Sequence, residues 1–167
     1  MTKGTKKAYI DLLDNLDKLE ISYKIVDHPA AETIQQADSY IAGLEGVRTK
    51  SMFLKDKKHF YMIVMDDKKR LDFKDFQQLT GTKRLSMAHN HDIDEQLGLE
   101  AGIISPFGLI NNQTHNIQVF FDKEMLDAEN ILTFHPNLNT HTIFLEASDL
   151  MKFIKACGFD YKIIDLK

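Results

Sequence analysis

A chain of 167 residues, 43% of them hydrophobic, has the length of one domain and enough apolar side chains to build a core, since domains usually run to about 100 to 200 residues. Its single cysteine, Cys157, excludes an internal disulfide and suits a reducing cytoplasm, and with no stretch near the roughly 20 apolar residues of a membrane span, a soluble protein without a signal peptide is expected. The formal charge of −4 weighs against a nucleic-acid partner, but residues 48–84 hold eleven Lys or Arg against five Asp or Glu, a balance of +6 that leaves −10 for the rest, so one face can be basic while the whole is acidic.

In residues 5–19, Tyr9, Leu12, Leu13, Leu16 and Leu19 recur at spacings of three and four. This is the apolar stripe of an amphipathic helix packed on a core. Residues 22–26 read as a short strand ended by His28-Pro29, and residues 32–41 carry Ile34, Ala37 and Ile41 at helical spacing before Gly43 and Gly46. Two strand-like runs, 51–54 and 59–65, flank the polar segment 55–58 and predict a β-hairpin. A helix over 72–79 should end at Gly81, where glycine can take the left-handed conformation that caps it. A short strand near Leu85 follows, then a helix over 92–97 stopped by Gly98. Residues 107–110 and 117–121 flank the turn-favouring run Asn111-Asn112-Gln113-Thr114-His115 and predict a second hairpin. Residues 132–135 and 140–145 flank Pro136-Asn137-Leu138-Asn139 in the same manner. Ser148 is the expected N-cap of a helix running to Ala156, Gly158 supplies its C-terminal glycine, and residues 161–164 form a last strand. Helices at both ends and between hairpins predict an α/β or α+β fold, one domain over residues 1–167 with helices packed on a mixed sheet.

Several chemistries lose their support. His89 and His91 lie near Asp92 and Asp94, but the spacing is not that of the helical zinc pair His-Glu-x-x-His and no cysteine pair accompanies it, so a polar helix start is expected there instead of a metal site. Cys157 follows Phe153 and Ile154 in the last turn of an amphipathic helix, which suits a buried structural thiol. No Gly-x-Gly-x-x-Gly, Gly-x-x-x-x-Gly-Lys or Gly-x-Ser-x-Gly pattern occurs, which removes the main signals for nucleotide cofactors and serine hydrolases.

Three segments stand out. Lys50, in Thr49-Lys50-Ser51-Met52-Phe53-Leu54-Lys55, either projects from an apolar strand into a cleft or is a solvated strand-edge lysine. Gly102-Ile103-Ile104-Ser105-Pro106-Phe107 is either a loop presenting backbone N–H groups or an ordinary turn before a strand. His135, in Phe134-His135-Pro136-Asn137-Leu138-Asn139, is as readily structural as functional. Together and in this order, and with Lys83-Arg84-Leu85-Ser86 between them, these segments resemble the freestanding prolyl-tRNA editing proteins, relatives of the editing domain inserted in bacterial prolyl-tRNA synthetases. The resemblance runs over nearly the whole chain.

The resemblance implies a mixed, partly barrel-like sheet surrounded by helices and, as activity, hydrolysis of the ester that joins alanine to the tRNA for proline. It implies Lys50, Gly102 and His135 as the catalytic set, with Ile103, Ile104, Ser105, Pro106, Phe107, Asn137 and Asn139 binding substrate. Ile103, Ile104 and Phe107 are either the walls of a pocket tight enough for alanine or part of the core. Lys55, Lys57, Lys58, Lys83 and Arg84 are the expected tRNA-binding residues. No cofactor or metal is expected. The partner is the acceptor end of mischarged tRNA, handed over by prolyl-tRNA synthetase or an elongation factor. Ala101, Ile103, Thr133 and Leu138 depart from the family's usual residues, which leaves the pocket's preference open: a deacylase for cysteine or serine and a non-catalytic RNA-binding module are the alternatives.

Overall fold

A computed structural model describes residues 1–167. Helix α1 (Lys6–Lys18) starts where the Thr5 hydroxyl accepts a hydrogen bond from the Ala8 N–H, and it buries Leu12 and Leu16. Strand β1 (Tyr23–Asp27) and the short helix α2 (Ile34–Tyr40) follow. Strands β2 (Val47–Lys55) and β3 (Phe60–Asp66) form the predicted hairpin, paired from Thr49↔Asp66 to Lys55↔Phe60. Asp72 caps α3 (Phe73–Thr80), and Gly81 ends it at φ 73. Next come β4 (Ser86–Met87) and α4 (Asn90–Leu97). The rest is β5 (Ile117–Asp122), α5 (Lys123–Ala128), β6 (Ile131–Phe134), β7 (His141–Glu146), α6 (Ala147–Ala156) and β8 (Tyr161–Ile164). No helix is long and apolar enough to cross a membrane.

The strands form one mixed sheet in the order β1-β7-β6-β2-β3-β5-β8, with β4 paired to β2. Alternation along β3 divides the interior, because successive side chains of a strand face opposite sides. Met62 and Val64 join α1, α4 and α6 in the larger core, which includes Leu12, Leu97, Phe107, Phe121 and Phe153. Tyr61, Ile63 and Met65 point the other way and pack with Phe76, Phe120 and Leu166.

The expected hairpin of residues 107–110 with 117–121 does not form. Residues Pro106–Asn111 are a 3-10 helix, and β5 pairs in parallel with both β3 and β8. Parallel neighbours need a crossover, which a five-residue turn cannot supply. The reason is local as well: the Ser105 hydroxyl accepts from the Phe107 N–H and Pro106 takes the first helical position, where its missing N–H costs nothing. Helix α5 went unanticipated because its six residues bury only Met125, too short a stripe to show periodicity. Helix α6 begins two residues earlier than expected, with Glu146 and not Ser148 at its N-cap.

Candidate functional site

The sheet leaves a gap on one side of β2. Val47 and Arg48 pair with Leu132 and Thr133 of β6, and Leu54 and Lys55 pair with β4. Between those ladders, Thr49 to Met52 have a strand neighbour on the β3 side only. Strand β6 stops at Phe134 because His135-Pro136 turns the chain: Pro136 has no N–H to give a ladder, and Asn137 sits at φ 61, its N–H donating to the His135 carbonyl at 2.9 Å. A cavity of about 260 Å³ opens in that gap, lined from β2 by Lys50 and Ser51, from the end of β6 by Phe134 and His135, and from α2 by Ala37 and Asp38. Gly102, Ile104, Lys3 and Asp67 complete its walls.

Each polar group there has an identifiable state. The Nδ1 of His135 lies 2.9 Å from the His141 carbonyl. A carbonyl only accepts, so Nδ1 carries the proton and Nε2 of the neutral ring presents a lone pair. Burial pushes His135 below its ordinary pKa, against the raising effect of that hydrogen bond, so the ring is neutral at pH 7. Lys50 has no protein carboxylate beside it in any ion pair of the structure. Lys3 donates from Nζ to the Ala101 carbonyl at 3.0 Å. Gly102 adopts φ 97, a left-handed conformation that favours glycine, whereas the nearest atom to a Cβ there, Lys3 Nζ at 2.7 Å, ends a flexible side chain that can move aside. Ile103 gives its N–H to the Glu100 carbonyl, which leaves the Gly102 and Ile104 N–H groups as the uncommitted donors of the cavity-lining loop. Asp67 is pushed up to about 7, by burial and then by the Asp38 carboxyl within hydrogen-bonding reach.

A protein-family model described as the aminoacyl-tRNA editing domain matches residues 28–153. The chain belongs to the aminoacyl-tRNA editing domain family. It is 33% identical to the prolyl-tRNA editing protein ProX of Acetoanaerobium sticklandii, across 99% of this chain and 100% of that one. It is 28% identical to prolyl-tRNA synthetase associated domain-containing protein 1 of Mus musculus, across 93% and 94% of the two chains. A proline–tRNA ligase of Thermosipho melanesiensis is 24% identical over 83% of this chain and 24% of the ligase. Among solved structures, one described as a candidate trans-editing enzyme for prolyl tRNA synthetase shares the fold, with a TM-score of 0.76 over 98% of both chains at 20% identity.

In this editing domain, Lys50, Gly102, Ile104 and His135 come to one cavity from three separate stretches of chain. Other candidates lie elsewhere. Ile103 and Phe107 are 2% and 0% exposed and belong to the main core, so they are not the apolar cavity walls; Ile104, Ile34, Ala37 and Phe134 are. Ser105 and Pro106 are buried in the start of the 3-10 helix. Asn137 is buried in the turn behind His135. Asn139 is fully buried and ties three segments together: its Oδ1 accepts from the Lys3 N–H at 2.8 Å, and its Nδ2 donates to the Met1 and Ala31 carbonyls at 3.1 and 3.0 Å. It holds cavity walls without lining the cavity.

The basic candidates separate in the same way. Lys57, Lys58, Lys83 and Arg84 are exposed around the far end of β2, about 17 Å or more along the strand from Lys50 at roughly 3.3 Å per residue. Lys55 is committed within the protein, 2.8 Å from Asp92 Oδ2 and 3.3 Å from His89 Nδ1. Although His89, His91 and Asp92 offer ligand atoms within 4.8 Å of one another, that ammonium takes the place a cation would need. Asp92 also accepts from the His89 N–H at 2.9 Å, at the start of α4. Burial opposes its charge, but Lys55 and the His89 N–H hold the carboxyl below the usual range. Cys157 is half-buried away from the cavity, and burial pushes its thiol up to about 11, which makes it a poor nucleophile. The residues that were not anticipated are Lys3, Asp38 and Asp67. Their signal was weak: Asp66-Asp67 read as the polar end of a strand, and Asp38 as one polar position on a helix.

Proposed function

We propose that the protein is a freestanding trans-editing deacylase that hydrolyses the ester of alanine wrongly attached to the tRNA for proline. The observation that carries this reading is the convergence of Lys50, the Gly102 loop and His135 on one small cavity beside the stretch of β2 that pairs on its β3 side only. An aminoacyl ester is already activated, so a positioned water and donors for the developing oxyanion suffice without a protein nucleophile. Water adds to the ester carbonyl carbon, and the negative charge that develops on the carbonyl oxygen is met by the Gly102 and Ile104 N–H groups. The bond from that carbon to the ribose oxygen then breaks, and a proton from the attacking water ends on the ribose oxygen. His135 Nε2, a lone pair on a neutral ring, orients the water or the neighbouring ribose hydroxyl. Lys50 holds the terminal phosphate or the aminoacyl end as a point charge. The apolar walls at Ile34, Ala37, Ile104 and Phe134 suit a methyl side chain, and a cavity that selects by size would act as a second filter. That second filter is needed because a proline pocket rejects a smaller side chain by only about 1 to 3 kcal/mol.

The exposed basic group at the far end of β2 suits the phosphates of an acceptor stem that runs along that strand from the cavity. On this reading the protein works in the cytoplasm on substrate released from prolyl-tRNA synthetase. The test is a panel of tRNA(Pro) charged with alanine, cysteine, serine or proline. Alanine should be released fastest and proline spared, and Lys50→Ala should lower kcat/KM for the alanyl ester by about 10 to 100-fold, the range of one charged hydrogen bond, with an unchanged circular dichroism spectrum. Faster release of cysteine or serine would reassign the substrate, and full activity of Lys50→Ala would remove that residue from the mechanism.

A further inference from the structure

The cavity is bipolar. Lys50 and Lys3 supply ammonium groups, while Asp38, Asp67 and Ser51 supply oxygens to the same space. Two of those oxygens, Asp67 Oδ2 and Ser51 Oγ, are buried and have no hydrogen-bond partner in the protein. Leaving a buried polar atom unsatisfied is costly, and folded proteins keep few such atoms. Here two occur in one cavity, next to a third acceptor on Asp38 that lies within hydrogen-bonding reach of Asp67. The protein's own donors are turned elsewhere. Lys50 and Lys68 are the nearby ammonium groups, yet neither forms an ion pair with Asp67, and the Asp66 carboxylate adds negative charge beside it.

What fits two carboxyl groups and a hydroxyl lining one cavity is a small cation carrying several N–H donors. The substrate class of the proposed reaction has one such group, the α-ammonium of the aminoacyl moiety, one carbon from the ester carbonyl; its phosphates are the anionic counterpart that Lys50 and Lys3 suit. We propose that Asp38, Asp67 and Ser51 form a subsite for the α-ammonium group of the aminoacyl end, an inference that rests on the deacylase reading. Ionic hydrogen bonds to this group orient the carbonyl toward the Gly102 loop, and the cavity thereby requires a free α-amine. The hydroxyl of Ser51 joins as acceptor, and Asp38 and Asp67 share the negative charge that balances the ligand.

The experiment measures binding apart from ester hydrolysis. The probes are 3′-alanylamino-3′-deoxyadenosine 5′-phosphate, whose amide replaces the ester, and its lactyl counterpart, in which a hydroxyl replaces the ammonium. By calorimetry the protein should prefer the alanyl probe by about 10 to 100-fold, the range for hydrogen bonds to a charged group. The double variant Asp38→Asn/Asp67→Asn should bring the two affinities to within about twofold by weakening the alanyl probe alone. Ser51→Ala should cut the preference by a few-fold and serves as the deciding variant if the double one does not fold. Equal affinity of the unaltered protein for both probes, binding of neither, or an undiminished preference in the variants would overturn the subsite. Alanyl preference in a protein that releases no amino acid from any mischarged tRNA would overturn the deacylase reading and leave the subsite standing.

Discussion

Two carboxylates stand at the ends of neighbouring strands and meet opposite fates. Asp122 ends β5 and is fully buried, yet every demand it makes is answered: Oδ2 is 2.8 Å from Lys69 Nζ, and Oδ1 accepts from the Leu166 N–H at 3.2 Å. Lys69 also donates to the Leu166 carbonyl at 2.7 Å and lies 3.3 Å from Glu124. Burial opposes the charge of Lys69, but Asp122 and then Glu124 keep its pKa raised. Asp67 lies just past the end of β3 and only two residues before that same lysine, but it is left with an orphaned oxygen and another carboxylate for company. The first cluster closes the C-terminal segment onto the sheet. The second faces a cavity. A buried charge whose partners are its own chain contributes to the fold, whereas one left without partners marks where a ligand completes the set.

The contrast can be broken most strongly at Asp122. Asp122→Ala strands a buried ammonium, which costs about 3 to 5 kcal/mol; the urea midpoint should fall accordingly, while probe binding below the transition stays unchanged. A midpoint within experimental error of the parent would show that the Lys69 cluster does not hold the C-terminal segment. Asn139→Ala is expected to come second. It removes three hydrogen bonds, one buried and two part-buried, that connect Met1, Lys3 and Ala31, at about 2 to 3 kcal/mol once unsatisfied partners are counted. Because Lys3 and Ala31 line the cavity, this variant should weaken alanyl-probe binding as well as stability. Loss of stability with intact binding would uncouple the N-terminal segment from the site.

The third effect has the opposite sign. Asp67 has a folded pKa of about 7, above the roughly 3.9 of an unfolded aspartate. A raised pKa means that the native state holds the proton more tightly, so the stability Asp67 contributes is fully present below about pH 4 and is lost as pH rises toward 7. Asp67→Asn is neutral throughout that window. Its stability should match the parent near pH 4 and exceed it at pH 8, when both are followed by chemical denaturation, even as alanyl selectivity falls. A variant less stable than the parent at pH 8 would place Asp67 with Asp122 among the carboxylates that support the fold.

Local patterns were legible in residue order. The leucine stripe of α1, the hairpin of β2 and β3, the β6–β7 hairpin and the glycine stop of α3 all rest on contacts within a few residues, where periodicity and turn chemistry act. The misread segment at 107–121 shows the limit. A continuous apolar run cannot distinguish a strand from a buried helical turn, and the partners of β5 come from residues 60–64 and 161–164. The same limit separates Ile103 from Ile104: adjacent and chemically alike, one is 2% exposed in the core and the other lines the cavity.

Residue order by itself determined the helices and hairpins, the mixed sheet, the editing family and the motif residues Lys50, Gly102 and His135, because each depends on short-range pattern or on a distinctive string. Only the tertiary structure decided that β2 has a neighbour on one side only at Thr49 to Met52, that Asn139 is a fastener, and that Asp38 and Asp67, 29 positions apart, come within hydrogen-bonding reach of one another at the wall of a cavity. Those outcomes depend on which strands pair in parallel and where burial strips water from a carboxylate, and neither quantity is carried by the neighbours of a residue along the chain.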